Sequence, residues 1–304
     1  MMRHVITPER LYYLKAPFPQ GIHYPVIKLL SAPAVRRGCF ALAVWLSGSY
    51  GVVLAADGNA PLVLLIQPTL NQEQTRKTYQ PLADYLSAAT GRPITLLTRP
   101  NFFAHWQTVQ RNTGYDLVLD DAHFTDYRIQ KFHFQALAKF PGTTSYGIVV
   151  AHNNRVLDPL QLAGKKIASF GPPSLGAALL SAMFPNPSRR PALVEIGAAQ
   201  EGFELLSQGK VSAAMLPATI IGEQLAHGAV TLLIGTEPTP AMALSATPRL
   251  DPALLKKIRQ ALLGATASLD GRQMLRQIGI ERFEGATAET YTNQAKILKE
   301  YWGY

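Results

Sequence analysis

Five consecutive residues, Asp120-Asp121-Ala122-His123-Phe124, gather the densest polar chemistry of this 304-residue sequence. They follow an apolar run at 115–119 that reads as a β-strand. They therefore stand at a strand's carboxyl end, where open α/β sheets present groups to a cleft. Carboxylates accept hydrogen bonds from amines or hydroxyls, an imidazole donates to an oxyanion, and a phenyl ring packs on apolar surface. The competing assignment has Asp121 capping the next helix and Asp120 facing solvent. Gln67, Pro68 and Thr69 follow another apolar run, 62–66, so Gln67 and Thr69 are expected at the same cleft, with an ordinary β-to-α turn as the alternative. Adjacent carboxylates do not converge on one point and no second His has ligand spacing, so no metal centre is expected. Cys39 is the only cysteine, and there is neither a G-x-S-x-G nucleophile signature nor a phosphate-binding glycine-rich loop. The chemistry expected is binding without catalysis and without a cofactor.

The elements that must position these residues alternate. Strand-like runs fall at 62–66, 93–98, 115–119, 135–139, 146–151, 166–170, 193–196, 213–216, 230–234 and 242–246. Helical patterns fall at 101–111, 174–183, 199–207, 218–226, 252–265, 271–278 and 288–301. Another is opened by Pro81 and stopped by Gly91, with Asn71 capping a separate first turn. Such alternation predicts an α/β chain of mostly parallel sheets flanked by helices. Two passages, 106–119 and 203–216, share a helix–glycine–strand pattern (Gly114, Gly209), which points to two similar lobes facing across a cleft.

Charge separates the N-terminal stretch from the rest. The net charge is +9, but residues 1–55 carry six of the basic residues and one acid, leaving 23 basic and 19 acidic residues without a cluster. Nucleic acid is therefore not an expected partner. Arg36-Arg37 precedes nineteen uncharged residues, 38–56, containing an apolar run and ending in Val53-Leu54-Ala55. A basic region, an apolar region and a small-x-small exit read as a secretory signal peptide at 35–55, cleaved after Ala55. The alternative is an uncleaved membrane anchor. Residues 1–34 lie upstream of a normal signal start, so translation is expected to begin near Val35, with 1–34 not part of the protein.

Several passages in fixed order carry a family resemblance: Tyr79-Gln80-Pro81-Leu82-Ala83-Asp84-Tyr85-Leu86, Leu162-Ala163-Gly164-Lys165-Lys166-Ile167-Ala168, Thr236-Glu237-Pro238-Thr239-Pro240, Leu250-Asp251-Pro252 and Ile278-Gly279-Ile280-Glu281-Arg282-Phe283. Together they resemble the phosphate/phosphite/phosphonate-type periplasmic substrate-binding proteins of ABC transporters, over nearly all of 60–295. The resemblance implies the type II periplasmic binding protein fold, with 57–144 plus 236–304 as lobe 1 and 145–235 as lobe 2. It implies an anion cradle at a lobe-2 helix N-terminus, where free amides and the helix dipole favour negative charge; here that turn holds Ser174, Leu175 and Gly176. It also places Tyr146, at the lobe crossing, against the ligand. The chain departs from the pattern at Pro172-Pro173, which lack the family's hydroxyls, at Ala199 in place of a histidine, and at Ser212 in place of an acid. Simple phosphonates are therefore expected to bind weakly, with lobe 1 deciding the ligand. The function implied is capture of a small polar ligand, phosphonate- or phosphate-like where anionic, by a monomeric periplasmic protein that docks on an ABC permease. The alternative is a periplasmic ligand sensor signalling to a membrane kinase or chemoreceptor.

Overall fold

The computed structural model describes residues 60–301; the expectations for 1–34 and for the signal segment 35–55 lie outside the described residues. Two mixed sheets organise the chain. In the first lobe, β1 (Leu62–Ile66) runs parallel to both β2 (Ile94–Thr98) and β3 (Leu117–Asp120). Beyond β3 the sheet turns antiparallel, through β12 (Ala243–Ala246), β4 (Gln135–Lys139) and β13 (Glu284–Gly285). The second lobe contains β6 (Tyr146–Ala151), β7 (Lys166–Phe170), β8 (Ala192–Ile196), β9 (Ala213–Pro217) and β10 (Val230–Gly235), in the order β10-β6-β9-β7-β8. With β13 set aside, the two sheets share one strand order and one pattern of directions.

The sheets are thus mixed, where the sequence suggests mostly parallel ones. Parallel pairing is confined to β2-β1-β3 and β8-β7-β9, whose successive strands are joined by helices that carry the chain back over the sheet. β6 and β12 are instead entered from the other lobe, and no crossover helix fixes their direction. The chain makes both passages through a short ribbon in which β5 (Thr143–Thr144) pairs antiparallel with β11 (Thr239–Pro240).

Helices cover the sheets: α1 (Gln72–Thr90), α2 (Phe102–Arg111), α3 (Ala122–Phe132), α7 (Pro252–Leu263) and α8 (Leu269–Ile278) in the first lobe, α4 (Leu175–Met183), α5 (Ala199–Ser207) and α6 (Ala218–Ala226) in the second. Two helices differ from the sequence reading. Pro81 does not open α1 but lies inside it. The Asn71 side chain caps the Gln74 amide at 2.8 Å, and Tyr79, Leu82, Ala83 and Leu86 form one continuous buried face across the proline. Burying that face offsets the roughly 3 kcal/mol an interior proline costs a helix.

The run at 288–301 is not one helix. It splits into 3-10 turns at Glu289–Tyr291 and Gln294–Glu300, because Asn293 takes a left-handed conformation (φ 71°). The second piece is tied to α3 by the Ala295 amide, which donates to Asp126 Oδ2 at 2.8 Å, and also packs on α4 of the other lobe. The largest apolar cluster joins the lobes as well. It runs from Leu65, Trp106 and Phe124 to Ala168, Phe170 and Phe203, with the Phe102 and Phe170 ring centroids 5.7 Å apart.

Candidate ligand site between the lobes

β3 ends in Asp120, which is fully buried. Its two oxygens meet both terminal nitrogens of Arg128 (2.5 and 2.6 Å), His105 Nε2 at 3.2 Å and the Thr125 hydroxyl at 3.1 Å. Arg128 lies two turns along α3, fully buried and anchored further by Ser245 Oγ at 3.1 Å. Burial alone would raise the Asp120 pKa, but the guanidinium and these hydrogen bonds hold it at about 2. Asp120 therefore neither faces solvent nor offers an open oxygen to a ligand. It is one half of a buried ion pair that fixes the start of α3. The sequence gives no warning of Arg128 or His105 as its partners, which arrive from α3 and α2.

Asp121 is arranged differently. Its amide donates to Gln67 Oε1 at 2.9 Å, so Gln67 joins the end of β1 to the end of β3. The Asp121 side chain precedes α3 yet makes no capping bond, and Oδ2 finds no hydrogen-bond partner although the residue is buried. Burial pushes its pKa to about 7; the Gln67 side chain opposes the rise and the Asp120 charge adds to it. Three tyrosines feel the Asp121 charge: Tyr79 of α1, pushed to about 12 mainly by burial, Tyr146 of β6, and Tyr291 of the C-terminal segment. His123 is fully buried and reaches across the lobes, its Nε2 lying 3.0 Å from the Pro173 carbonyl. A carbonyl only accepts, so Nε2 carries the proton and Nδ1 of the neutral ring is an acceptor. That Nδ1 has no partner, and burial holds the His123 pKa near 4. Thr69 is half-buried and its amide donates to the Gln67 carbonyl at 3.1 Å.

In the second lobe, the turn after β7 presents Ser174 at the N-terminus of α4. Its hydroxyl donates to the Phe170 carbonyl (2.9 Å) and accepts from the Ala177 amide (3.2 Å), and its own amide bonds the Gly171 carbonyl (3.0 Å). Ser174 thus serves the fold as a helix cap. The Leu175 and Gly176 amides are first-turn donors for which helix geometry supplies no acceptor. A Cβ on Gly176 would lie 3.1 Å from the Tyr146 ring and 3.0 Å from Ser169 Oγ, so glycine lets this turn close on the tyrosine. Gln67, Asp121, His123, Tyr146 and the Ser174 turn thus meet where the carboxyl ends of the two sheets face each other. Asp120 stands behind them.

A cavity of about 240 Å³ also lies between the lobes, bordered by Pro68, Asn101 and Phe102 of one and Gly171, Glu195 and Glu201 of the other, with none of Gln67, Asp121, His123, Tyr146 or Ser174 on its wall. The Glu195 carboxylate sits directly over Gly171, where a Cβ would come within 2.2 Å of it. Glu201 accepts the Gly197 amide at 2.9 Å. Neither glutamate stands out in the sequence, where both look like solvated charges. Among the described residues no group of His, Cys, Asp and Glu is arranged to hold a metal ion.

Residues 64–291 match the family model of the phosphonate periplasmic substrate-binding proteins of ABC transporters. The chain belongs to that family. Solved structures agree on the fold. A Prochlorococcus marinus PhnD1, in complex with methylphosphonate, is similar with a TM-score of 0.66 at 17% identity, over 79% of this chain and 97% of that one. XAC2383 from Xanthomonas citri, bound to ATP, gives 0.65 at 14% identity, over 78% and 95%. A phosphonate transporter binding component from Pseudomonas aeruginosa, PA3383, gives 0.64 at 12% identity, over 77% and 83%. No curated protein sequence matches the chain. Other type II periplasmic binding proteins share the architecture, including an ancestral arginine-binding protein at a TM-score of 0.52, 16% identity and 72% and 98% coverage. The family is one of substrate-binding subunits that work outside the cytoplasm with ABC permeases. No helix among the described residues is long and apolar enough to cross a membrane.

Proposed function

We propose that this chain captures a small polar molecule between its two lobes and presents the closed, loaded form to an ABC permease, without transforming what it binds. The observation that carries this reading is the contact made across the junction. His123 of α3 bonds the Pro173 carbonyl of the opposite lobe, beside a buried carboxylate that has an oxygen with no partner. Buried polar atoms of this kind are rare in a folded core and concentrate where a ligand completes them. Export through 35–55, action as a monomer and lobe limits near 144 and 236 are part of the same proposal. N-terminal sequencing of the exported protein is expected to begin at Ala56 or within a few residues. Recovery of an intact N-terminus in the membrane fraction would replace export by anchoring. Small-angle scattering with and without a saturating ligand tests the capture itself. A smaller radius of gyration on binding is expected, and a bound ligand that leaves the radius unchanged counts against a closing cleft.

A further inference from the structure

Donors from both lobes meet at the junction, and one acceptor stands among them. The Leu175 and Gly176 amides open α4 with no acceptor supplied by the helix, the usual seat of an oxyanion. Tyr79 of α1 and Tyr146 of β6 are buried, carry hydroxyls able to donate, and lie close enough to feel the Asp121 charge. Tyr146 joins the two groups, because a Cβ on Gly176 would lie 3.1 Å from its ring. The acceptor is Asp121 Oδ2, buried and without a partner. Nothing around it cancels its charge. Both terminal nitrogens of Arg128 and His105 Nε2 are turned to Asp120, which adds a second negative charge behind Asp121. His123 is held neutral by burial and presents an unpartnered acceptor of its own, and the Tyr291 hydroxyl donates to the Ala241 carbonyl at 2.9 Å. A fully ionised phosphonate or phosphate drawn to the amides would therefore set its charge against an ionised Asp121.

We propose that Asp121 determines specificity, admitting a phosphonate- or phosphate-like oxyanion only where carboxyl and ligand together hold one proton, in an O–H···O bond at Oδ2. The inference deepens the capture proposed above and rests on it. Either partner can bring the proton. A hydrogen phosphonate donates to the carboxylate, or a protonated Asp121 donates to the dianion, and the complex has the same composition. Burial helps by lifting Asp121 to about 7, near the second ionisation of a phosphoryl group, about 6 for a phosphate monoester. Bonds of this charge-assisted kind are short and strong. The bond weighs more here because Pro172 and Pro173 have no amide hydrogen and the Ser174 hydroxyl is spent on the Phe170 carbonyl. Gln67 accepts the Asp121 amide, so the carboxyl is fixed before the ligand arrives. Sulfate and the monoester of a phosphonate have similar oxygens and no O–H to give near neutral pH, so an ionised Asp121 rejects them.

Calorimetry at pH 8.5, repeated in buffers of different ionisation enthalpy, decides it with inorganic phosphate, methylphosphonate, monomethyl methylphosphonate and sulfate. Phosphate or methylphosphonate is expected to bind with uptake of roughly one proton per ligand, and to lose affinity by up to about tenfold per pH unit above that. Sulfate and the monoester should bind at least roughly 10-fold more weakly, for want of one charge-assisted hydrogen bond. Asp121→Asn carries a permanent donor of the same shape, so it should abolish the proton uptake and the pH slope and bring sulfate within a few-fold of phosphate. Binding of phosphate or methylphosphonate without proton uptake overturns the role of Asp121, as does sulfate bound by the parent as tightly as phosphate. Binding of none of the four overturns the oxyanion assignment. Proton uptake is read on the parent protein, so the test stands whatever the substitution does to the fold. An anion taken up with its proton that leaves the radius of gyration unchanged would instead defeat the closing cleft and keep Asp121 in its role.

Discussion

The two lobes share a strand order and differ in what they bury. Behind the first lobe's strand ends lie Asp120, Asp121, His123, Arg128, His105 and Gln67, all removed from solvent. The second lobe buries two polar side chains, Ser169 and Ser174, among the described residues, and spends both hydroxyls on carbonyls of its own backbone. A shared topology therefore carries one lobe with a charged interior and one that is nearly apolar. The difference teaches where selectivity sits. The second lobe supplies a cap with its first-turn amides, a tyrosine ring, a carbonyl and two glutamates at the cavity's border, whereas the buried carboxylate, imidazole and guanidinium side chains belong to the first.

The sharpest way to break the comparison is to empty the charged interior. Arg128→Ala leaves Asp120 buried with only His105 and Thr125 as partners, and should destabilise the fold by roughly 3–5 kcal/mol, as measured by denaturant unfolding. A loss below 1 kcal/mol would mean the pair is dispensable and that the lobes differ little in energy.

Asp121 gives the next largest effect, through pH. Between about pH 4 and pH 7 the folded protein holds a proton there that the unfolded chain has released, so this group's contribution to stability falls as pH rises and levels off above 7. Asp121→Asn removes the dependence. The stability gained over the parent should be near zero at pH 4 and grow to at most about 4 kcal/mol above pH 7, at 1.36 kcal/mol per pKa unit. His123 works in the opposite sense, since its folded-state pKa near 4 makes it lose stability as pH falls from the ordinary histidine range. The parent should therefore be nearly flat where the two windows overlap, and the Asn variant should not be. Parallel pH profiles would show that Asp121 is not strained in the closed form.

The smallest effects belong to the second lobe. Ser174→Ala removes a helix cap and should reduce stability by about 1 kcal/mol, with little change in the affinity of whatever the cleft holds. A large loss of affinity with unchanged stability would put the Ser174 hydroxyl on the ligand and reverse the division of labour between lobes.

Much of this was legible in the sequence. Strand cores such as 62–66 and 166–170 appear where apolar runs place them, and the repeated helix–glycine–strand passages are α2 to β3 and α5 to β9, with both glycines at positive φ (81° and 65°). Local signals failed where a longer-range term outweighed them. The break assigned to Pro81 yields to a buried stripe that runs from Thr75 to Thr90 along a nineteen-residue helix, and the helix assigned to 288–301 yields to Asn293 and to the bond that Asp126 makes with Ala295. The Asp120-Asp121 pair was visible, but the opposite fates of its members were not. Those fates depend on Arg128 and His105 arriving from two helices, and no spacing rule encodes a meeting of that kind.

The ribbon formed by Thr143–Thr144 and Thr239–Pro240 has a mechanical consequence. Two independent tethers would let the lobes splay, slide and twist separately. In the closing cleft proposed above, strands hydrogen-bonded to each other would bend as a single leaf spring, whose stiffness would enter every binding constant. A substitution at Thr239, whose hydroxyl donates to the Thr144 carbonyl at 3.3 Å, would touch no ligand. It would nonetheless rescale the affinity for all of them by a common factor, leaving their ranking as it was.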